Sequence, residues 1–586
     1  MAIQFQNRGG TQAENDAFTG AARELSVDTT NNELRVHDGV TPGGHKVGAH
    51  EGTYIKASGT TVPRTLADWA EKEILSYDSL ADAVADPLLE VGRRVKTYGH
   101  YTAGDGGGAD YIVTSGLSPE AGIVIAAGTK QLKLAPRLDV NIREFGIITD
   151  GTTDAGNGIQ SFIDKNGFLG GKVELTHDTY LAQDGITITQ PFNFNGAGTL
   201  YSGINSNSGG AAIVIDPDPN VDMTLCKIQD LYLGNPNNGT LGSINGLQAL
   251  TGTATKFLPK LTLRDIHVGD CGQPGFVHGN NVANVQGGMY AAAIENSIIK
   301  GGIALIESGD SNTISKCILT GSGVGVNANI IAGASCLAIE NNNITNIGGA
   351  INISSGSRFR IHGNNTESIV AGPLASNNGA CFNIVGTSST MYGGAITENL
   401  ISRFGGSDAT HCMKLSNCRG TLVQDNVFLS DDPSTVSIEI YPDSQDVRIG
   451  ANSFNTNLPN NIVDNGVGTM GIIKTPVLSN AWVEFSPTQA PIQYIKSTDG
   501  MVHITGSMKD GVTTNGTVIF TLPIGFRPDK IIRTPIMVVN AGTPQIAEMS
   551  IESDGSCRII YVNASNQVSV NITFAAANLA NSVSLE

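Results

Sequence analysis

IENSII (294–299), ISKCIL (314–319) and IENNNI (339–344) are three copies of one short pattern. An aliphatic residue is followed by polar residues rich in Asn or Asp, then by a second aliphatic. Working outward, the pattern returns as LRDIHV (263–268), IHGNNT (361–366), ITENLI (396–401), VQDNVF (423–428) and IGANSF (449–454), with an earlier copy at IQDLYL (228–233). The step varies from 20 residues (Ile294 to Ile314) to 35 (Ile361 to Ile396). Helical repeats of fixed length do not tolerate that spread. A β-solenoid does, because each coil takes insertions at its loops. A second strand precedes many copies: Ile303–Ile306, Ile351–Ile353, Cys381–Ile384, Met413–Leu415 and Ile438–Ile440. Short turns join the two, among them SGDSN (308–312), SSGSR (354–358) and PDSQD (442–446). Each coil is therefore expected to carry at least two strands and one sharp corner. Stacking buries one aliphatic column and piles Asn at the corners.

Composition agrees. Of 586 residues 72 are Gly, and only 15% are charged against 40% hydrophobic. Disorder needs the opposite balance, and no every-third Gly marks a collagen. Lys and Arg number 35 against 53 acidic residues, a net charge of −18, with no basic cluster to meet nucleic acid. No apolar run long enough for a membrane span occurs. The start MAIQFQNRGG lacks the basic and apolar regions of a signal peptide, so a protein made in the cytoplasm is expected. Eight cysteines form no CxxC pair and read as small buried residues, with no metal site and no cofactor implied.

The flanks read differently. Leu25–Asp28 and Leu34–Val36, joined by Thr30–Asn32, predict a hairpin. Residues 65–86 show helical spacing and predict two short helices, the second capped by Asp78 or Ser79 and stopped by Pro87. Residues 91–136 return to strands around Gly104–Gly108, which lacks the Lys and following helix of a phosphate loop. After 479, short strands at Val518–Phe520, Ile531–Ile532, Met537–Val539, Met549–Ile551 and Arg558–Val562, with a turn at Asp554–Gly555, predict an independent antiparallel β-sandwich. The expected division is 1–55, 56–136 (helical linker and neck), 137–478 (solenoid) and 479–586.

Residues 139–163 carry a resemblance. DVNIREFG (139–146), TDGTTD (149–154) and GIQSFI (158–163) resemble the entry to the right-handed parallel β-helix of bacteriophage tailspikes and pectate-lyase-like proteins. The family form is roughly V-x-x-F-G-A-x-G-D-G-x-T-D-D-T-x-A-I-Q; Ile147–Ile148–Thr149 departs from it. GGKVEL (170–175) with TYL (179–181) resembles the first full coil, and YGHY (98–101) with GDGGGADY (104–111) the segment before the helix. FQNRGGTQAE (5–14) and ELSVDTTNNELRVHDGVTPGG (24–44) resemble the virion-anchoring tip of tail fibres and spikes. GTVIFTLPIGFRP (516–528) resembles a distal tail-protein domain. The resemblance implies a homotrimer assembled in a bacterial cytoplasm and carried on the virion. It implies that residues 1–55 hold a phage tail or baseplate protein, and that 137–478 bind and cleave a host surface polysaccharide. Residues 479–586 would serve trimerisation or carbohydrate binding.

Hydrolysis of a glycosidic bond needs two carboxyl groups, about 5–5.5 Å apart in retaining enzymes and about 6.5–9.5 Å in inverting ones. Neighbouring coils lie about 4.8 Å apart, so carboxylates one or two coils apart come into range. If the first aliphatic of each repeat points inward, the next residue points out. That column reads Arg264, Glu295, Ser315, Glu340, His362 and Thr397. Glu295 and Glu340 are the first candidate pair, with His362 beside them; the same residues also fit a solvated outer face. Glu307 and Asp310 are a second candidate, two carboxylates at one corner whose like charges raise one pKa; a capped polar turn is the alternative. Arg358, Arg360 and His362 would suit a lyase on an acidic polymer. Tyr290, Tyr392 and Tyr441 are candidates to stack on sugars or simply to pack. Arg264, Asp265, His267 and Asp270 are split across faces by alternation and make a poor metal site. A non-catalytic receptor-binding spike stays open beside the two enzymes.

Overall fold

The computed structural model describes residues 8–47, 54–55, 64–65 and 74–136 except 121. From 139 to 577 it describes all but 149–152, 167–171, 175–178, 183, 199–202, 206–210, 217–222, 224–225, 234–245, 250–256, 270–275, 279–287, 306–309, 321–329, 334, 347–348, 370–379, 388–389, 405–410, 456–461 and 563–566. The chain forms two compact units, Met1–Pro136 and Arg137–Glu586.

In the first unit, Leu25–Asp28 and Glu33–Val36 pair antiparallel, as the hairpin pattern predicts, inside a four-stranded sheet completed by Arg8–Gly10 and His45–Val47. The buried guanidinium of Arg35 bridges Asp16 at 2.5 Å and Asp28 at 2.9 Å, which ties the helix Gln12–Ala17 to that sheet. A second sheet of five strands spans Leu75–Leu134. The helix Leu80–Ala85 begins at a Ser79–Asp82 capping box. The end of the earlier predicted helix is corrected, because Leu75–Tyr77 is a strand paired parallel with Arg94–Thr97. Tertiary pairing there overrides the local helical spacing. The body of that predicted helix, 66–73, lies outside the described residues.

The second unit is a parallel β-helix. Its coils supply three strands each to three stacked parallel sheets of twelve, eleven and eleven strands. The first sheet runs from Asp139–Asn141 to Arg448–Ile449, the second from Thr179–Leu181 to Ser453–Phe454, the third from Ile186–Ile188 to Ile462–Asp464. Most strands of the first sheet are three residues long with the middle residue inward. Ile228, Leu263, Ile294, Ile314, Ile339, Ile361, Ile396, Val423 and Ile449 stand in register one above another and are buried. Burial of such a side chain contributes about 1.5–3 kcal/mol. The repeat pattern thus names this column residue for residue. The third strand per coil, such as Ile298–Lys300 or Ile318–Thr320, lies at the second half of the same motif. At the start, the helix Gly156–Asn166 buries Ile159, Phe162 and Ile163. Its Gln160 side chain exchanges hydrogen bonds with both backbone groups of Thr187, 2.7 and 2.6 Å, which occupies the free edge of the third sheet.

The C-terminal strands form one eight-stranded antiparallel sheet around an apolar core that includes Trp482, Ile504, Phe520, Phe526, Met549 and Ile572. The expected independence is corrected. Lys474 ion-pairs with Asp464 at 2.5 Å and bridges Tyr494, and Lys496 reaches Asp446 at 3.6 Å, so this sheet is fastened to the last coils. The strands Met501–Lys509 and Gln567–Ala575 are additional to those expected.

Candidate active site

Because the middle residue of each first-sheet strand points inward, its neighbours on both sides face out. The register stacks Arg264, Glu295, Ser315, Glu340, His362 and Thr397 directly over one another, the column derived from alternation. Glu295 and Glu340 are separated by the single coil of Ser315, which is roughly 9–10 Å at the backbone. The parallel outward column carries Ala338 and Arg360. The Arg360 guanidinium lies 3.1 Å from the Glu340 carboxylate, whose side chain is only 23% exposed. His362 is held by its ring: Nδ1 is 3.0 Å from the Thr397 hydroxyl, and Nε2 is 3.9 Å from Glu398.

Tyr290, Asp310 and Tyr392 belong to the corner that feeds this sheet. That corner is a backbone ladder: Ala291 N–H donates to Asp310, Ser311 to Ser335, Cys336 to Ser357, and Arg358 to Tyr392. Its turning residues Ala291, Ser311, Cys336 and Arg358 are left-handed, φ 51–64°, a conformation tolerated here because the stack fixes it. Tyr290 and Tyr392 are exposed, and Tyr392 lies three coils beyond Asp310. The Asp310 carboxyl is held below its ordinary pKa, first by the Cys336 thiol and also by Ser311 and the charge of Arg358. This makes it an ionised cap of its turn, not an acid with a raised pKa. Its suggested partner Glu307 lies outside the described residues. Of the residues considered for a lyase, Arg360 is committed to Glu340 and Arg358 faces Asp310. Asp265 pairs with Arg264 at 3.3 Å and with Asn296, and His267 turns to the ring of Tyr232, so these groups do not converge; Asp270 is outside the described residues.

Alternation applied only to the first sheet misses a cluster on the third. Asn352, Asn383, Lys414 and Glu439 share one outward column there. His411 Nε2 lies 2.8 Å from Glu439. Burial pushes the Tyr441 phenol up to about 12, and its hydrogen bond to Glu439 adds to that. The signal was present in HCMKLS and VSIEIY, where a charged residue interrupts an apolar strand.

Residues 5–41 match the family model of the major tropism determinant N-terminal domain. The tail fiber receptor-binding protein of Bordetella phage BPP-1 is 48% identical over 68 residues, 11% of this chain and 18% of that protein. Among solved structures, the Dettilon tailspike is similar at 14% identity and a TM-score of 0.44, covering 74% of this chain and 93% of its own. The tailspike of Acinetobacter baumannii bacteriophage Fri1, described as a capsular polysaccharide depolymerase, is similar at 13% identity and a TM-score of 0.38, covering 86% and 96%. The N-terminal matches support a phage tail protein.

Proposed function

We propose that this chain is a phage tailspike that binds a host surface polysaccharide and depolymerises it by glycosidic hydrolysis. The observation that carries the reading is the register of the first sheet, which supports Glu295 and Glu340 as an acid and base two coils apart. Glu340, beside Arg360 at 3.1 Å, acts as the base that draws a proton from water. Glu295 donates a proton to the glycosidic oxygen as the bond to the sugar breaks. A spacing of two coils leaves room for that water, as inversion requires. His362 and the corner tyrosines Tyr290 and Tyr392 line the path of the polymer, Tyr rings being suited to pack on sugar faces. Residues 1–55 attach the spike to a tail or baseplate protein, supported by the family match over 5–41. Three copies assemble as a homotrimer, on the resemblance of residues 139–181 to tailspikes.

The test is incubation of purified protein with capsular and O-antigen polysaccharides from candidate hosts. Polymer length is expected to fall while reducing ends rise, without ultraviolet absorbance from unsaturated sugars. Unsaturated ends would mean elimination. Binding with unchanged polymer length would mean a receptor-binding spike without catalysis.

A further inference from the structure

From two to four coils beyond Glu340, the same corner opens into a groove. Its cavity is about 500 Å³, between Tyr392, Arg419, Asp446 and Arg448 of the solenoid and Lys496 and Asp499 of the C-terminal sheet. The hollow has a local cause. Where earlier coils place Ser311, Cys336 and Arg358 at the left-handed corner position, these coils place Gly393 and Gly420, φ 66° and 68°. A Cβ at Gly420 would meet nothing within 4 Å. In a chain of net charge −18, three cations converge here against two carboxylates. Both carboxylates are engaged, Asp446 with Lys496 at 3.6 Å and Asp499 with Ser497 and the Met501 N–H. Arg419 and Arg448 make no ion pair among the described residues. Tyr392 stands directly beside Arg419 in register and is exposed. Arg448 ends the outward column Arg360–Ala395–Leu422–Arg448, which places it roughly 19 Å along the sheet from Glu340.

We propose that this groove is a distal subsite for an acidic sugar of the bound polymer. The sugar carboxylate sits between Arg419 and Arg448, and its ring packs on Tyr392. Guanidinium forks match carboxylate geometry and give charge-assisted hydrogen bonds. The assignment rests on the polysaccharide reading above and adds to it a preference for uronate-type residues.

The test uses the full chain and calorimetric titration with a galacturonate hexamer and a neutral maltohexaose. The acidic hexamer is expected to bind at least about tenfold tighter, the margin shrinking with salt. An Arg419→Gln/Arg448→Gln variant is expected to lose about that tenfold for the acidic hexamer and nothing for the neutral one. Equal binding of the two hexamers overturns the proposal, as does a folded variant that binds the acidic hexamer like the parent. Arg448 is exposed, so Arg448→Gln alone decides the matter if the double variant does not fold. Glu340→Gln separates the two readings. Retained polymer cleavage there removes the catalytic assignment and leaves the groove standing. Lost cleavage with no acidic preference removes the groove alone.

Discussion

Each coil turns into and out of the first sheet at two corners, and the two differ in what their polar residues do. At the corner that leaves the sheet, Asn342, Asn364, Asn399 and Asn426 are buried. Each Oδ1 accepts from the preceding coil, as Asn399 does from the N–H and Nδ2 of Asn364 at 3.0 and 2.9 Å. Each Nδ2 donates back to an aliphatic carbonyl, as Asn399 does to Ile361 at 3.0 Å. At the corner that enters the sheet, the backbone ladder is similar, but its positions vary from coil to coil, through Tyr290, Asp310, Ser335, Ser357, Tyr392 and Arg419. Both corners rest on left-handed turning residues, such as Asn341 at 56° and Arg358 at 55°. One corner spends its side chains on its own backbone. The other adds only scattered side-chain bonds to its ladder, such as Ser335 and Ser357 Oγ accepting from the Ser357 and Tyr392 N–H at 3.3 Å, and it presents Tyr290 and Tyr392 to solvent.

That contrast can be broken in order of size. The largest effect is expected on the exposed face: Glu295→Gln and Glu340→Gln should each slow depolymerisation by about 10²–10⁴-fold, with stability within about 0.5 kcal/mol of the parent. A stability loss that accounts for the activity loss would assign them to structure. Next comes Asn399→Leu. It strands the buried Asn364 N–H and takes one donor from the Ile361 carbonyl, while Asn364 Nδ2 keeps the Ile339 carbonyl; at about 1–3 kcal/mol per buried group, a drop of about 2 kcal/mol or more in denaturant unfolding is expected. Tyr290→Ala on the open corner should shift the same transition by less than about 1 kcal/mol; equal losses would erase the distinction between corners.

The smallest effect concerns acid. Asp310 has a native pKa below its ordinary value of about 3.9. Its contribution to stability is therefore present above that ordinary value and is lost as pH falls through the lowered native one. Asp310→Asn should flatten this acid-side loss in pH-dependent unfolding. An unchanged acid profile would mean that the turn does not use the charge.

The solenoid was legible because its period is written in single residues. An aliphatic every coil at the same inward position is a requirement of stacking, and Ile294, Ile314, Ile339, Ile361 and Ile396 meet it without exception. The outward carboxylates followed from the same alternation. The second sheet was harder to see, because its outward positions mix exposed Ile298 and Ile318 with Asn343 and Asn365, which blurs the contrast between faces. The strands Met501–Lys509 and Gln567–Ala575 were hidden by polar outward residues such as Thr505, Ser507, Ser569 and Asn571, which read as loop. The groove beside Arg419 was not legible at all. It depends on which coils the C-terminal sheet meets, a long-range fact that no local pattern carries.

In the proposed reaction Glu295 and Glu340, one intervening coil apart, act as acid and base on a polysaccharide. The most direct test is proton NMR of the reducing ends in the first minutes of cleavage, before the anomers equilibrate. A two-coil spacing predicts products of inverted configuration at the cleaved bond. Retained configuration, or an unsaturated sugar at the new non-reducing end, would contradict it.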